Sequence, residues 1–459
     1  MTEPTTHRAK SLMPWILTLG VITMSTSVAC GLLGEEENNM TTVDMSGDVD
    51  QGTTPDEDQG TTPDEDQGTT PDEDQGTIPD EDQGTTPDED MGTEPDEDMG
   101  TEPTSNWKIM SHPCAGNRTD ALHCDDDSTC YTGCGTTTSG RGMYVTTDGG
   151  VTWNPMSTTP DEFLNASRVN DIWRSPDDGL LYVAGDHSVS FGVVSVDDSG
   201  TIGEVFKRGN TVGFGFTPGN FRRGSSGRAV VESLTGVDLV YRNADSDDPS
   251  ESWLDGSDAV SGARGRLQTL DLDVVGDDFY GCGSTIADTP RVYLPAWDAD
   301  SEYDVEVMNL VDPESLAAYN GEMWGIDADE SGVVVGGVNQ AAGVGMVYVF
   351  NAEGGLAPND LANWSEFRVS KVPTLTGKAT WVQGVCRSGN TIYAVGRESR
   401  EGWGFVLRSQ DAGESWEDIS LYEGGASKSS LADAYRCHVT STGGVIIAGS
   451  GGQFAVYED

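Results

Sequence analysis

Four side chains that could hold a metal, His112, Cys114, His123 and Cys124, stand close together near the start of the apolar part of the chain. Imidazole and thiolate are common zinc ligands, yet their spacing does not match paired Cys-x-x-Cys knuckles, so disulfides are expected there instead of a metal. Arginines able to grip a carboxylate are available as Arg118, Arg141, Arg222, Arg223, Arg264, Arg266, Arg291 and Arg436. Arg222-Arg223 is the only adjacent arginine pair and falls in a Gly/Ser-rich stretch, 219–227, read here as a loop that could accept an anion or be plain solvated surface. Acidic residues are abundant, and a carboxylate pair for glycoside hydrolysis is defined by its separation in space. The chain contains no nucleotide-binding loop, no HExxH and no serine-nucleophile elbow. No cofactor is expected.

The elements that must position any such group announce themselves through turns. Ser409-Gln410-Asp411-Ala412-Gly413-Glu414-Ser415-Trp416 and Thr146-Thr147-Asp148-Gly149-Gly150-Val151-Thr152-Trp153 share one pattern. In such a hairpin the carboxylate can accept from the turn's own amides, glycine admits a positive φ, and the Trp packs beneath the next element. These stretches resemble the Asp-box of bacterial neuraminidase repeat and sortilin-like β-propellers. The resemblance implies structural roles for Asp148, Gly150, Trp153, Asp411, Gly413 and Trp416. It also implies a fold shared by glycosidases, receptors and assembly factors, so it does not specify an activity. Sialidases resemble one another in an Arg-Ile-Pro element, three arginines on the substrate carboxylate, an acid Asp and a Tyr activated by Glu. This chain has no Arg-Ile-Pro. The stretch 148–153 is also similar to turns of photosystem II stability factors, propellers that assist assembly of membrane complexes.

Beyond Trp107 short apolar strands end in glycine at Gly135, Gly185, Gly283, Gly337, Gly396 and Gly449, and 228–233 fills the double gap after Gly185. Units of about fifty residues, rich in strand, predict an all-β propeller of seven blades. Six remain possible if the third unit is an insertion. The last unit, ending in Phe454-Ala455-Val456-Tyr457, is one strand short, and Trp107-Lys108-Ile109-Met110 is expected to supply it, leaving no open edge.

Upstream, His7, Arg8 and Lys10 precede an apolar run at 15–22 and then Ser27-Val28-Ala29-Cys30. This order reads as a signal peptide over 1–29, and the small residues before Cys30 resemble a bacterial lipobox, implying lipidation of Cys30. Residues 30–105 are expected to form a disordered spacer built on the octapeptide Gln51-Gly52-Thr53-Thr54-Pro55-Asp56-Glu57-Asp58. That spacer carries much of the formal net charge of -53, which argues against nucleic acid as a partner.

Of the cysteines, Cys386 and Cys437 occupy equivalent places in consecutive units and are expected to bridge neighbouring blades. Cys114, Cys124, Cys130 and Cys134 are expected to brace the closure, and Cys282 to be a buried small residue. Aromatics outside the repeat, Trp297, Tyr303, Trp324 and Trp403, are candidates for ligand contact, with blade packing as the competing role. The expectation is an exported, lipid-anchored monomer at the outer membrane or cell surface, with 106–459 a propeller that binds a protein or glycan without catalysis. A sialidase-like glycoside hydrolase and an envelope assembly or stability factor are the alternatives.

Overall fold

A computed structural model of the chain describes residues 106–459 except 111, 115, 117, 136–141, 158–167, 188–189, 207–217, 234–239, 243–253, 256–266, 286–288, 298–302, 313–316, 399–401 and 423–428. The expected signal peptide, Cys30 and the acidic repeat lie outside the described residues. Among the described residues the chain folds into seven four-stranded antiparallel sheets and one two-stranded sheet. The first strands of the seven, in chain order, are Thr119–Cys124, Arg168–Arg174, Pro218–Arg223, Leu267–Val275, Gly321–Asp329, Thr380–Ser388 and Ala434–Val439. Each packs against the next, and the last packs against the first. Four-stranded sheets set radially about an axis are a β-propeller.

The core lies between neighbouring sheets. In the second strand of the fifth sheet, Val333 and Val335 pack with Met308 and Val292 of the fourth sheet. Val334, one residue along and on the opposite face, packs with Val382, Ile392 and Phe405 of the sixth. Covering both faces explains why these strands read as continuous apolar runs instead of alternating ones.

Closure follows the sequence expectation. The seventh sheet runs in the order Trp107–Met110, Phe454–Tyr457, Val445–Gly449, Ala434–Val439, with Trp107 opposite Tyr457 and Met110 opposite Phe454. Trp107 also donates its indole N–H to Ile419 O of the sixth sheet at 2.6 Å. Cys114–Cys134 ties the segment after this strand to the first sheet, and Cys124–Cys130 crosses that sheet's first hairpin. Cys386–Cys437 joins the first strands of the sixth and seventh sheets with Cα atoms 5.7 Å apart, and Cys282 is free and buried.

The two matched turns pack backwards onto the preceding sheet. Asp411 Oδ1 accepts from Ser409 Oγ and from Ser415 N, each at 2.8 Å, and Gly413 N donates to Ser409 Oγ at 2.9 Å. Asp148 makes the same set with Thr146 Oγ1 and Thr152 N, each at 2.8 Å. These bonds lower the pKa of both carboxyls, the Ser415 and Thr152 hydroxyls contributing most. Gly413 (φ +92°) and Gly150 (φ +91°) hold the left-handed conformation, and a Cβ there would reach 2.9 Å from Val349 and 2.4 Å from Phe454, both in the sheet before. Trp416 stacks on Phe367 at 5.2 Å, and Trp153 meets Phe454 edge-on at 5.1 Å. Asp197 builds a similar turn without a tryptophan, accepting from Ser199 N and Thr201 N at 2.9 Å.

The glycine that ends each repeat strand has a different cause. Every first strand breaks register at one equivalent place, at Asp120, Asn170, 219–220, Leu270, Trp324, Gln383 and Tyr435. The bulge presses a carbonyl into the second strand. A Cβ on Gly396 would lie 1.9 Å from Trp381 O, and one on Gly449 1.8 Å from Asp433 O. Trp324 is thus the bulged residue of its strand, its indole bonded to Glu322 at 2.8 Å. Gly396→Ala is expected to destabilise the fold by about 1–3 kcal/mol, the cost of overpacking. Denaturant unfolding measures this, and an unchanged midpoint would rule out the steric origin of the repeat glycine.

Candidate functional site: the axial cavity

The seven bulged strands converge on one cavity of about 460 Å³. All seven contribute to its wall, including Leu122, Trp173, Arg222, Asp271, Ile326, Arg387 and His438. That volume falls in the range of small-molecule sites. The bulge re-aims each strand just where it meets the axis, so the feature that demands the repeat glycine also shapes this wall.

The wall is charged, and its charges are mostly spent on one another or on the backbone. Arg222 Nη1 donates to Asp171 Oδ2 at 2.6 Å and Nε to Asp273 Oδ1 at 3.2 Å. Burial opposes its charge, but the carboxylates of Asp171 and Asp273 outweigh burial and raise its pKa. Several carboxylates reach across to the next sheet and accept backbone N–H bonds. Asp171 Oδ2 takes Phe221 N (3.2 Å), Asp271 Oδ2 takes Ile326 N (3.2 Å) and Asp273 Oδ2 takes Ala328 N (2.7 Å). Asp327 Oδ2 takes Arg387 N (2.5 Å) and Asp329 Oδ2 takes Gly389 N (2.7 Å). Asp327 is half-buried beside Asp273, and burial followed by that like charge raises its pKa well above the ordinary aspartate value.

Behind the wall, Glu232 on the second strand of the third sheet is completely buried and accepts from Asn220. Burial lifts its pKa to about 8, and that of Asp271 to about 6. His438, on the seventh first strand, is held neutral by burial with its pKa lowered to about 4.

The residues singled out from sequence are scattered. Arg222-Arg223 belongs to the first strand of the third sheet and not to a loop; Arg222 is buried between two aspartates, and Arg223 donates to Asp178 at 3.0 Å and Tyr182 Oη at 2.7 Å. Neither is a solvated anion trap. Trp297 and Tyr303 face each other across the outer hairpin of the fourth sheet, and their side chains lie outside the described residues. Trp403 begins the third strand of the sixth sheet, opposite Glu398. Among the described arginines Arg118 pairs with Asp120, Arg291 bonds Asn309 at 2.7 Å, and Arg436 alone of that set reaches the cavity beside Arg222. A tyrosine–glutamate cluster exists, with Tyr319 Oη 2.8 Å from Tyr348 Oη near Glu366, but it sits toward the outer strands of the fifth sheet. His112 is buried in an aromatic stack with Trp153 and Phe454, its Nδ1 accepting from Cys114 N at 3.1 Å. The cavity carboxylates, and His438, were not singled out from sequence. Their signal is the alternation Asp271-x-Asp273 and Asp327-x-Asp329, in the strand before the glycine-ended one.

Comparison with solved structures gives the same architecture. YCF48 bound to D1 peptide aligns over 77% of this chain and 97% of its own at 16% identity, TM-score 0.50. YCF48 from Cyanidioschyzon merolae aligns over 77% and 98% at 13% identity, TM-score 0.51, and a streptogramin B lyase over 76% and 96% at 12%, TM-score 0.50. The likeness is one of fold. No family model and no curated protein matches the chain.

A pH dependence follows from Glu232. The folded chain keeps its proton up to about pH 8, whereas the unfolded chain releases it near the ordinary value of 4.5. Raising pH through that window therefore favours the unfolded state. Glu232→Gln, which mimics the neutral form, is expected to gain stability over the parent progressively from pH 4.5 to 8 and then level off. Denaturant unfolding of both across that range checks it; parallel curves would show that Glu232 does not titrate with folding.

Proposed function

We propose that this chain is an exported β-propeller, anchored through a lipid on Cys30 and held off the membrane by the acidic repeat, that binds a protein partner of the cell envelope. Counting each four-stranded sheet as a blade gives seven, with the matched turns serving as Asp-boxes; a count of six would leave out the third sheet. The observation that carries the reading is the axial cavity, whose wall is drawn from all seven first strands and locked by carboxylate-to-amide bonds between neighbours. A wall so fixed is a preorganised recognition surface. Asp273 and Asp327, neighbouring carboxylates of that wall, are spent on backbone amides of the next sheet, which supports binding over glycoside hydrolysis. A propeller of similar fold has been solved bound to a peptide, which supports a protein partner over a glycan.

Affinity capture from the native envelope tests this, comparing the full chain with a version lacking 51–103. A protein partner recovered in stoichiometric amount with the full chain and depleted with the shortened one is expected. Enrichment of no protein in either case would contradict the proposal.

A further inference from the structure

Four arginines border the axial cavity, Arg174, Arg222, Arg387 and Arg436. Three are fully engaged. Arg174 holds Asp125 at 2.5 and 2.8 Å and Asp198 at 3.0 Å. Arg222 lies between Asp171 and Asp273. Arg387 pairs with Asp329 at 3.2 Å and donates to Phe350 O, Ser331 O and Asn351 Oδ1, each at 3.0 Å. Arg436 differs. Among the described residues its one hydrogen bond runs from Nη1 to Tyr435 O of its own strand at 3.2 Å, and it forms no ion pair.

Two residues along the same strand, and so on the same face, is His438. Its ring makes no hydrogen bond among the described residues and borders the same cavity. Asp271 is close enough to feel the charge of Arg436, but its oxygens accept from Leu272 N at 3.0 Å and Ile326 N at 3.2 Å. The cavity therefore presents one guanidinium fork with an imidazole beside it, neither held in an ion pair or a side-chain hydrogen bond among the described residues, although Asp271 and Glu232 lie within electrostatic reach of Arg436. A planar fork of donors matches a carboxylate in two parallel bonds, and the partner's charge offsets the cost of a half-buried cation.

We propose that Arg436 and His438 form a carboxylate-binding subsite of the axial cavity. Arg436 takes the two oxygens of a ligand carboxylate, and the neutral His438 supplies a further hydrogen bond. The proposal rests on the binding reading and gives it a chemistry: the ligand brings a carboxylate into the cavity, either from a peptide or from a small organic acid.

Saturation-transfer NMR on the full chain distinguishes the two sources, with glutarate as one probe and a mixture of N-acetylated tetrapeptides, as free acids or as C-terminal amides, as the other. Binding of glutarate, or of free-acid peptides at least tenfold tighter than their amides, is expected. Arg436→Gln should weaken it at least tenfold, and Arg436→Lys, which keeps the charge but loses the fork, by less. Thermal unfolding of each variant controls for folding, and the acid-to-amide comparison on the parent stands without any variant. Equal binding of acids and amides, no binding of any probe, or full binding by a folded Arg436→Gln would overturn the subsite. Partner capture with Arg436→Gln separates the two claims: undiminished recovery removes this subsite and leaves the binding module intact.

Discussion

The hydrogen bond from an inner-strand aspartate to a backbone amide of the next sheet is the constraint on which this structure depends. Neighbouring blades are separate sheets, so no ladder of strand hydrogen bonds joins them. Apolar packing between sheets supplies most of the attraction but is non-directional. The carboxylates of Asp171, Asp271, Asp273 and Asp327 add direction, each reaching an amide of the following first strand, and Asp329 reaches the turn just beyond it, at 2.5–3.2 Å. A hydrogen bond to a charged group contributes about 1.5–3 kcal/mol, and an unsatisfied buried carboxylate would cost more than that. Across the closure a loop carboxylate makes a related contact, Asp127 of the first sheet accepting from Ser441 N beyond the seventh first strand at 2.8 Å.

Seen this way, the acidity of the axis is first a matter of assembly. The carboxylates stand where the strands converge because that is where one blade can touch the next. Their crowding has an electrostatic cost, offset by Arg222 between Asp171 and Asp273 and visible in the raised pKa of Asp327. A cavity with a fixed wall is the by-product, and Arg436 with His438 is the part of it that assembly does not consume.

The outer half of the fold was legible because its causes are local. A turn of fixed sequence carries its own hydrogen bonds, so Asp148 and Asp411 could be found by pattern, and the missing last strand could be matched to Trp107–Met110 by its tryptophan. Cys386 and Cys437 were legible for a related reason, since equivalent places in consecutive repeats are neighbours in a ring. The axis was not. Arg222 reads as a loop residue among glycines, because nothing local says that a bulge at 219–220 turns it between aspartates about fifty residues to either side. Nor does anything local show why the repeat strands close in glycine: at Gly337, Gly396 and Gly449 a carbonyl of the preceding strand is pressed against the residue.

Native-state hydrogen exchange on the amides of Ile326, Ala328, Arg387 and Gly389 tests most directly whether these bonds weld the sheets into one ring. All four are expected to exchange only with global unfolding, at one common free energy, even though they belong to two different sheets. Exchange of either pair at a lower free energy of its own, sheet by sheet, would contradict it, because the carboxylate bonds would then not be coupling one blade to the next.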